Sequence, residues 1–285
     1  MEIGIGQPST GDAEFLAKWA QRAEQLGFVS LGWADRLVFR NYEPLISMAF
    51  AAAVTTKLKL TVGVLLSPLH NTAVLAKQVA TLDHLSRGRL VLGVGLGGRG
   101  SDDHAGAGLS SRGRGRALNQ QIEEMRRIWA GEHRGMAGAI GPAPYSRPEG
   151  PFLLMGGRTE PAIQRTVKYA DGWTAGGGGA EAYALTANAV AAAWKAAGRP
   201  GRPRLQASEN FGLHAGAEEA MKAQIAAAFG QDPVQLERRT KTAIFNGNRL
   251  RAAIDAYGAA GCDELILSPM APDFEQMDRL AELAL

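Results

Sequence analysis

Cysteine is almost absent: Cys262 stands alone among 285 residues. A single thiol excludes an intramolecular disulfide framework and any cysteine-rich metal centre. An excess of one charge is missing as well. The 31 Lys+Arg and 28 Asp+Glu leave a formal charge of +3, and no Lys/Arg block exceeds two in a row. That is no footprint for nucleic acid. No apolar run approaches the ~18 residues that would suggest a membrane span. The opening Met1-Glu2-Ile3-Gly4-Ile5 has neither a basic n-region nor an apolar h-region, so no secretory signal is expected. Gly-x-Ser-x-Gly, Walker-A and His-Glu-x-x-His patterns are missing, which removes the motif-based case for those hydrolase, nucleotide and zinc chemistries. These absences predict a soluble, cytoplasmic globular protein, away from nucleic acid and membrane.

What is present is glycine: 36 of 285 residues, roughly 13% where ~7% is usual. Apolar residues make up 46% and charged ones 21%, so the excess belongs to a folded chain with a sizeable core. Non-periodic glycine in such a chain marks tight turns or close backbone approach. Short apolar runs predict strands at Glu2–Gly6, Ser30–Ala34, Lys59–Leu65, Leu90–Gly95, Phe152–Met155, Gly172–Ala175, Leu205–Leu213 and Asp263–Ser268. Between them lie faces of helical period. Phe15, Leu16, Trp19, Ala20, Ala23 and Leu26 form one, with Gly27 as its stop. Val74, Leu75, Val79, Leu82 and Leu85 form another, and Leu118, Ile122, Met125, Ile128 and Trp129 a third. Thr159-Glu160-Pro161 reads as a helix start, with proline where its missing N–H costs little. Strands that alternate with helices suit either an open doubly wound sheet or a closed barrel. Eight such units in an α/β chain of this length favour a single (β/α)8 TIM barrel. Residues 131–150 and 231–246 fit the repeat poorly and are expected as excursions from the rim of one domain spanning 1–285.

Several places carry chemical potential. Gly93-Val94-Gly95-Leu96-Gly97-Gly98 satisfies G-x-G-x-x-G. A dinucleotide fold needs a helix directly afterwards and an acidic residue about 20 positions on. Here the sequence continues Arg99-Gly100-Ser101-Asp102-Asp103, so a rim loop whose backbone lines a ligand is the better reading. Met155-Gly156-Gly157-Arg158-Thr159 is a stronger anion site. A strand ends, two glycines allow close approach, and a helix N-terminus and an arginine fork point at whatever binds. Asp35-Arg36 closes the second strand, where a barrel puts functional groups; a surface ion pair is the plain alternative. His70 follows the third strand, where an imidazole can serve as a proton donor or simply as a loop histidine bonded to backbone. His84 reads as structural and Cys262 as an inert buried thiol. Asp102, Asp103 and His104 are consecutive on a glycine-rich loop, a poor geometry for a metal, and none is expected.

Taken in order, several segments resemble the bacterial-luciferase-like family of flavin- and deazaflavin-dependent oxidoreductases. They are Ala23-Glu24-Gln25-Leu26-Gly27-Phe28 leading into Leu31-Gly32-Trp33-Ala34-Asp35, then Lys59 to Val64 and Leu75-Ala76-Lys77-Gln78. Thr81 to Leu90 runs into Gly93-Val94-Gly95, and Met155-Gly156-Gly157-Arg158 and Tyr169-Ala170-Asp171-Gly172-Trp173 complete the set. The resemblance thins after Thr174.

The resemblance implies a barrel binding FMN or coenzyme F420 at its C-terminal rim. The ring would pack near Gly63 and Val64, with Gly95, Leu96 and Gly97 beside it and the phosphate by Gly156, Gly157 and Arg158. A non-proline cis peptide or a bulge before Val64 is implied too. The implied chemistry is hydride transfer through the ring, with O₂ activation in the monooxygenases. Many deazaflavin members carry histidine after the Ala-Asp of the second strand, where this chain has Arg36. Asp35, Arg36 and His70 are expected at the substrate or cofactor rim, without an assigned catalytic role. The reading is a flavin-dependent oxidoreductase, either monooxygenase or reductase. An F420-dependent enzyme and a non-catalytic flavin-binding protein are the alternatives. An aldolase or isomerase is disfavoured, because no lysine or paired carboxylate stands out at the strand ends. Family members form dimers, and Trp19, Phe28 and Phe50 are the apolar residues expected to serve a homodimer.

Overall fold

The computed structural model describes all residues except 99–101, 230–236 and 238–239, together with the side chains of 224 and 227–229. Its strands are β1 (Glu2–Gly6), β2 (Ser30–Trp33), β3 (Lys59–Leu65), β4 (Leu90–Val94), β5 (Phe152–Gly156), β6 (Gly172–Gly176), β7 (Arg204–Phe211) and β8 (Glu264–Pro269). Each pairs in parallel with the next, and β8 returns to β1, so the sheet is a closed eight-stranded barrel. Helices alternate with the strands: α1 (Ala13–Leu26), α2 (Pro44–Val54), α3 (Thr72–Leu85), α4 (Asp103–Gly106), α5 (Arg114–Trp129), α6 (Glu160–Tyr169), α7 (Gly179–Ala196), α8 (Ala217–Phe229), α9 (Gly247–Ala259) and α10 (Phe274–Ala284). None of them is long and apolar enough to cross a membrane.

Local chemistry sets the helix ends. The Phe15 amide donates to the Asp12 carboxylate at 2.8 Å to open α1, and Gly27 closes it at φ 92°, a conformation that favours glycine. Asn71 opens α3 by accepting from the amides of Ala73 and Val74. Along each strand, alternate residues join the apolar layer beneath the helices; Ile3, Ile5, Leu60, Val62, Leu265 and Leu267 do so. The other set turns into the barrel. A Cβ on Gly32 would come within 2.6 Å of Ile266, two strands away, and one on Gly63 would sit 3.7 Å from both Thr174 and Gln206 across the barrel. Branched aliphatics usually fill this space. Here Gly32 and Gly63 take two of its positions.

At the floor of the barrel, the Ser30 hydroxyl donates to buried Glu264 at 2.5 Å, and Arg204 reaches Glu264 at 3.0 Å and also Glu2. This is an ionic base on the N-terminal face, away from the rim, with Glu264 buried and Arg204 and Glu2 part-exposed.

Two expectations are corrected here. Residues 131–150 lie between α5 and β5, so they belong to the N-terminal face of the barrel and not to the ligand-facing rim. They are anchored there: Ser146 donates to buried Asp83, and His84 Nε2 lies 2.6 Å from the Ala143 carbonyl. Of the second excursion, 231–236 and 238–239 lie outside the described residues. Trp19 and Phe28 are buried in the core, so neither offers surface to a second subunit. The helical period that placed Trp19 on an apolar face was right, but that face meets its own barrel. Phe50 is exposed.

Candidate functional site

The C-terminal ends of β2 to β6 surround an open cleft of about 860 Å³. Asp35, Arg36, Gly63, Val64, Gly95, Leu96, Gly97, Gly156, Gly157 and Arg158 all line it. His70 does not; it ends the single 3₁₀ turn after β3, and its carbonyl accepts from Gln121 at 3.1 Å. The Arg99-Gly100-Ser101 continuation of the glycine loop lies outside the described residues.

The wall of the cleft is built around Val64. The β3–β4 register shifts between Val62 and Leu65, and the Gly63–Val64 peptide is cis. Val64 lies against two backbones that have no side chains to oppose it. A Cβ on Gly156 would stand 2.7 Å from Val64 Cγ1, and one on Gly95 would overlap Cγ2 outright. The three residues make a smooth, apolar, side-chain-free surface. Beneath it, the hydroxyl of Thr174 lies 3.1 Å from the Gln206 amide oxygen, while Thr61 Oγ1 and Gln206 Nε2 are buried with no partner among the described residues.

The turn after β5 has the character of an anion site. Gly157 sits at φ 116°, and a Cβ there would come within 2.9 Å of Ala162. Its carbonyl accepts from the Trp173 indole at 2.7 Å, which fixes the turn from behind. Thr159 precedes α6 without a side-chain cap; Pro161 has no N–H and the Ala162 amide donates to the Thr159 carbonyl at 2.8 Å, so the turn offers the Glu160 amide and the positive end of the helix dipole. The Arg158 guanidinium is held by the Gly177 carbonyl.

Asp35 and Arg36 part ways. Asp35 accepts from the Leu66 amide at 2.7 Å. Burial pushes its carboxyl above the ordinary aspartate range; the Leu66 bond and the charge of His70 oppose the rise, while Glu43 and Asp103 add to it. Arg36 donates from Nε to buried Asp103 at 2.8 Å. Asp103 also accepts from the amides of Leu37 and Val38, both at 2.9 Å. Burial opposes ionisation of Asp103, but the Val38 amide and Arg36 outweigh it and hold the carboxyl below its usual value. Arg36 therefore lines the cleft and pairs with buried Asp103, not with Asp35 as the surface ion-pair alternative had it. Among the described residues no His, Cys, Asp and Glu side chains group as metal ligands. Cys262 is buried, and burial raises its thiol pKa.

Among the lining residues that escaped the sequence reading are Arg114 and Gly115 on the first turn of α5, and Arg165 on α6. The Ser111-Arg112-Gly113-Arg114-Gly115-Arg116 stretch was the available signal. Its basic, glycine-broken character just before a helical face marks a cationic helix start.

Residues 2–282 match the family model for luciferase-like monooxygenases. The chain belongs to that family. A Mycobacterium bovis relative described as uncharacterized is 32% identical over 181 residues, 61% of this chain. The chain spans about 63% of that relative's length. The coenzyme F420-dependent tetrahydromethanopterin reductase of Methanopyrus kandleri superposes with a TM-score of 0.79 at 19% identity, covering 99% of this chain and 97% of that one. The oxygenating constituent of 3,6-diketocamphane monooxygenase from Pseudomonas putida, in complex with FMN, gives 0.70 at 18%, covering 94% and 91%. At these identities the two structures share the fold with this luciferase-like chain. The family's neighbours thus include both F420-dependent and FMN-dependent proteins.

Proposed function

We propose that this luciferase-like chain is an oxidoreductase that binds FMN in the rim cleft and acts on a small organic substrate. The observation that carries the reading is the bare wall of Val64 between Gly95 and Gly156, where any Cβ on either glycine would collide with the valine. A wall kept free of side chains fits a broad planar ring. The chemistry of the turn after β5 agrees: Gly156, Gly157 and Arg158 combine close backbone approach, an uncapped helix start and a cation, as a phosphate requires. When bound, a flavin supplies hydride transfer and, in monooxygenases, activation of O₂.

The protein's own residues bind, orient and shield. Trp173 fixes the Gly157 carbonyl and with it the phosphate turn. Asp35 is the cleft-lining carboxyl that burial pushes up, so it is the group placed to hold a proton at the rim. Arg36, latched to Asp103, orients the segment that follows β2.

Coenzyme F420 is the second reading. It is favoured by the number of arginines on the cleft, since Arg114 and Arg165 join Arg36 and Arg158 there, more cations than one phosphate uses. Absorbance titration of the purified protein with FMN and with F420, giving a dissociation constant for each, tests the choice. Steady turnover with reduced cofactor separates an enzyme from a non-catalytic flavin binder, and binding of neither cofactor overturns the proposal. We place the working form as a homodimer. Its support is the exposed apolar run Leu37, Val38 and Phe39, next to Ile46 and Phe50 on α2.

A further inference from the structure

The connection from β6 to α7 runs through four successive glycines, Gly176 to Gly179. The last three all lie at positive φ, 64°, 95° and 78°, and none has a side chain to hold the turn in shape. Arg158, which lines the cleft, rests on this strip. Its Nη2 donates to the Gly177 carbonyl, and a Cβ on Gly178 would stand 3.2 Å from Nη1. Whatever fixes the bare backbone of 177–179 therefore fixes the arginine.

Two bonds from β7 do so. The Gly177 amide donates to the Ser208 carbonyl at 2.9 Å, and the Gly179 amide donates to Glu209 Oε1 at 3.0 Å. The first is backbone to backbone. The second depends on one side chain. Leu205, Ala207 and Phe211 join the apolar layer beneath the helices, and Glu209, in the same alternation along β7, interrupts that set. What it meets explains it. Gly178 precedes α7 with no side-chain cap, and the Glu209 carboxylate supplies the missing acceptor at the positive end of the helix dipole.

The same oxygen accepts from the Tyr257 hydroxyl at 2.5 Å. Burial and the Glu209 charge push the Tyr257 phenol up, so it stays a donor, while the charge of Arg158 opposes the rise. Tyr257 packs edge-on to Tyr183, with ring centroids 5.1 Å apart, and Tyr183 packs on Trp173 at the same spacing. All three rings are buried. Trp173 is the residue whose indole holds the Gly157 carbonyl. One aromatic ladder thus braces both halves of the turn after β5. It reaches Gly157 directly from Trp173, and Arg158 through Tyr257, Glu209 and the glycine strip.

We propose that Glu209 is a positioning residue for the turn after β5, acting through Gly179 on the 177–179 strip and through that strip on Arg158. That the anion held there is a flavin phosphate rests on the cofactor reading above; the coupling of Glu209 to an anion at Arg158 does not. The sign of the effect is diagnostic. By charge alone a carboxylate repels a nearby phosphate, so its removal would tighten binding. A carboxylate that positions Arg158 makes its removal weaken binding instead.

The test titrates wild type, Glu209→Ala, Glu209→Gln, Arg158→Gln and Glu209→Ala/Arg158→Gln with FMN, riboflavin and inorganic phosphate by isothermal calorimetry. FMN affinity is expected to fall at least tenfold in Glu209→Ala, about 1.4 kcal/mol. Riboflavin, which lacks only the phosphate, changes less than twofold. Glu209→Gln keeps an oxygen for the Gly179 amide and recovers FMN binding to within threefold of wild type. The double variant binds FMN within twofold of Arg158→Gln alone. If Glu209→Ala does not fold, Tyr257→Phe replaces it, with FMN at least threefold weaker and riboflavin again unchanged. Unchanged or tighter FMN binding in Glu209→Ala, equal weakening of both flavins, or additive losses in the double variant overturn the positioning role. Wild type that binds neither flavin, yet binds phosphate at least tenfold more tightly than Glu209→Ala does, overturns the cofactor reading and leaves the positioning role standing. Wild type that binds none of the three overturns both.

Discussion

The Asp35 carboxylate accepts a hydrogen bond from the Leu66 amide at 2.7 Å, which ties the end of β2 to the end of β3 at the edge of the cleft. The bond stabilises the charged form, yet burial dominates and the carboxyl titrates above the ~3.9 of a free aspartate. A raised native pKa means that the folded state binds the proton more tightly than the unfolded one. Stability therefore falls as pH rises from about 3.9 through the native value of Asp35. Asp35→Asn keeps the acceptor and removes this slope. Denaturation midpoints across a pH series check it; equal slopes in the two proteins would reject the buried-carboxyl assignment.

The phosphate turn is tested at Gly157. Valine at φ 116° adds strain of about 1–3 kcal/mol, and its Cβ meets Ala162 at 2.9 Å. Gly157→Val is expected to bind cofactor at least tenfold more weakly, about 1.4 kcal/mol, while still folding. Titration with FMN and F420 measures this, and an unchanged constant removes the turn from the site.

The Arg36–Asp103 pair gives a stability prediction with a pH sign opposite to that of Asp35. Asp103→Asn weakens three bonds to a buried charge and costs on the order of 1.5–3 kcal/mol. Because the native Asp103 carboxyl lies below its usual value, its contribution is complete above about pH 4 and disappears as pH falls through the native value. Acid unfolding of the variant should accordingly be shallower than that of wild type. Arg36→Ala is milder, since the amides of Leu37 and Val38 still hold the carboxylate.

At the barrel floor, Arg204→Met leaves Glu264, 1% exposed, with only the Ser30 hydroxyl. Removing one partner of a buried pair costs about 3–5 kcal/mol, whereas replacing both with apolar groups is often close to neutral. Chemical denaturation of Arg204→Met and of Arg204→Met/Glu264→Met gives both values. A single variant as stable as the double one would show that the pair contributes nothing.

Light scattering is expected to give about twice the 30.1 kDa chain mass. Ile46 is 72% exposed on α2, one turn before Phe50. Ile46→Asp should shift the protein toward monomer. A wild-type mass near that of one chain at micromolar concentration contradicts the dimer.

Much of the barrel could be read from the chain because its signals are local. The runs at Glu2–Gly6 and Lys59–Leu65 coincide with β1 and β3, and Gly27 stops α1 where its φ demands. The glycine-bearing strand ends pointed to the rim for the same reason. Partner choice is not local. Nothing around Asp103 says that it meets Arg36, 67 positions away, and Arg165 reaches α5 only because the barrel closes. Helical period also cannot tell an outer surface from a face turned to the sheet, which is why Trp19 was expected at an interface. Residues 131–150 were misplaced because their composition marks a loop but not which end of the barrel it serves.

The hollowing of the upper barrel by glycine makes the protein's tolerance of change one-sided. At Gly95 and Gly156, which line the cleft, a Cβ would press on Val64, and no residue is smaller than glycine. Drift at these positions can only remove volume from the cleft. Selection for a new ligand would therefore leave the wall constant and work through the arginines, whose long side chains can be shortened, swapped or neutralised one at a time. The pocket's shape is held by what is not there, and its specificity is left to residues that are free to vary.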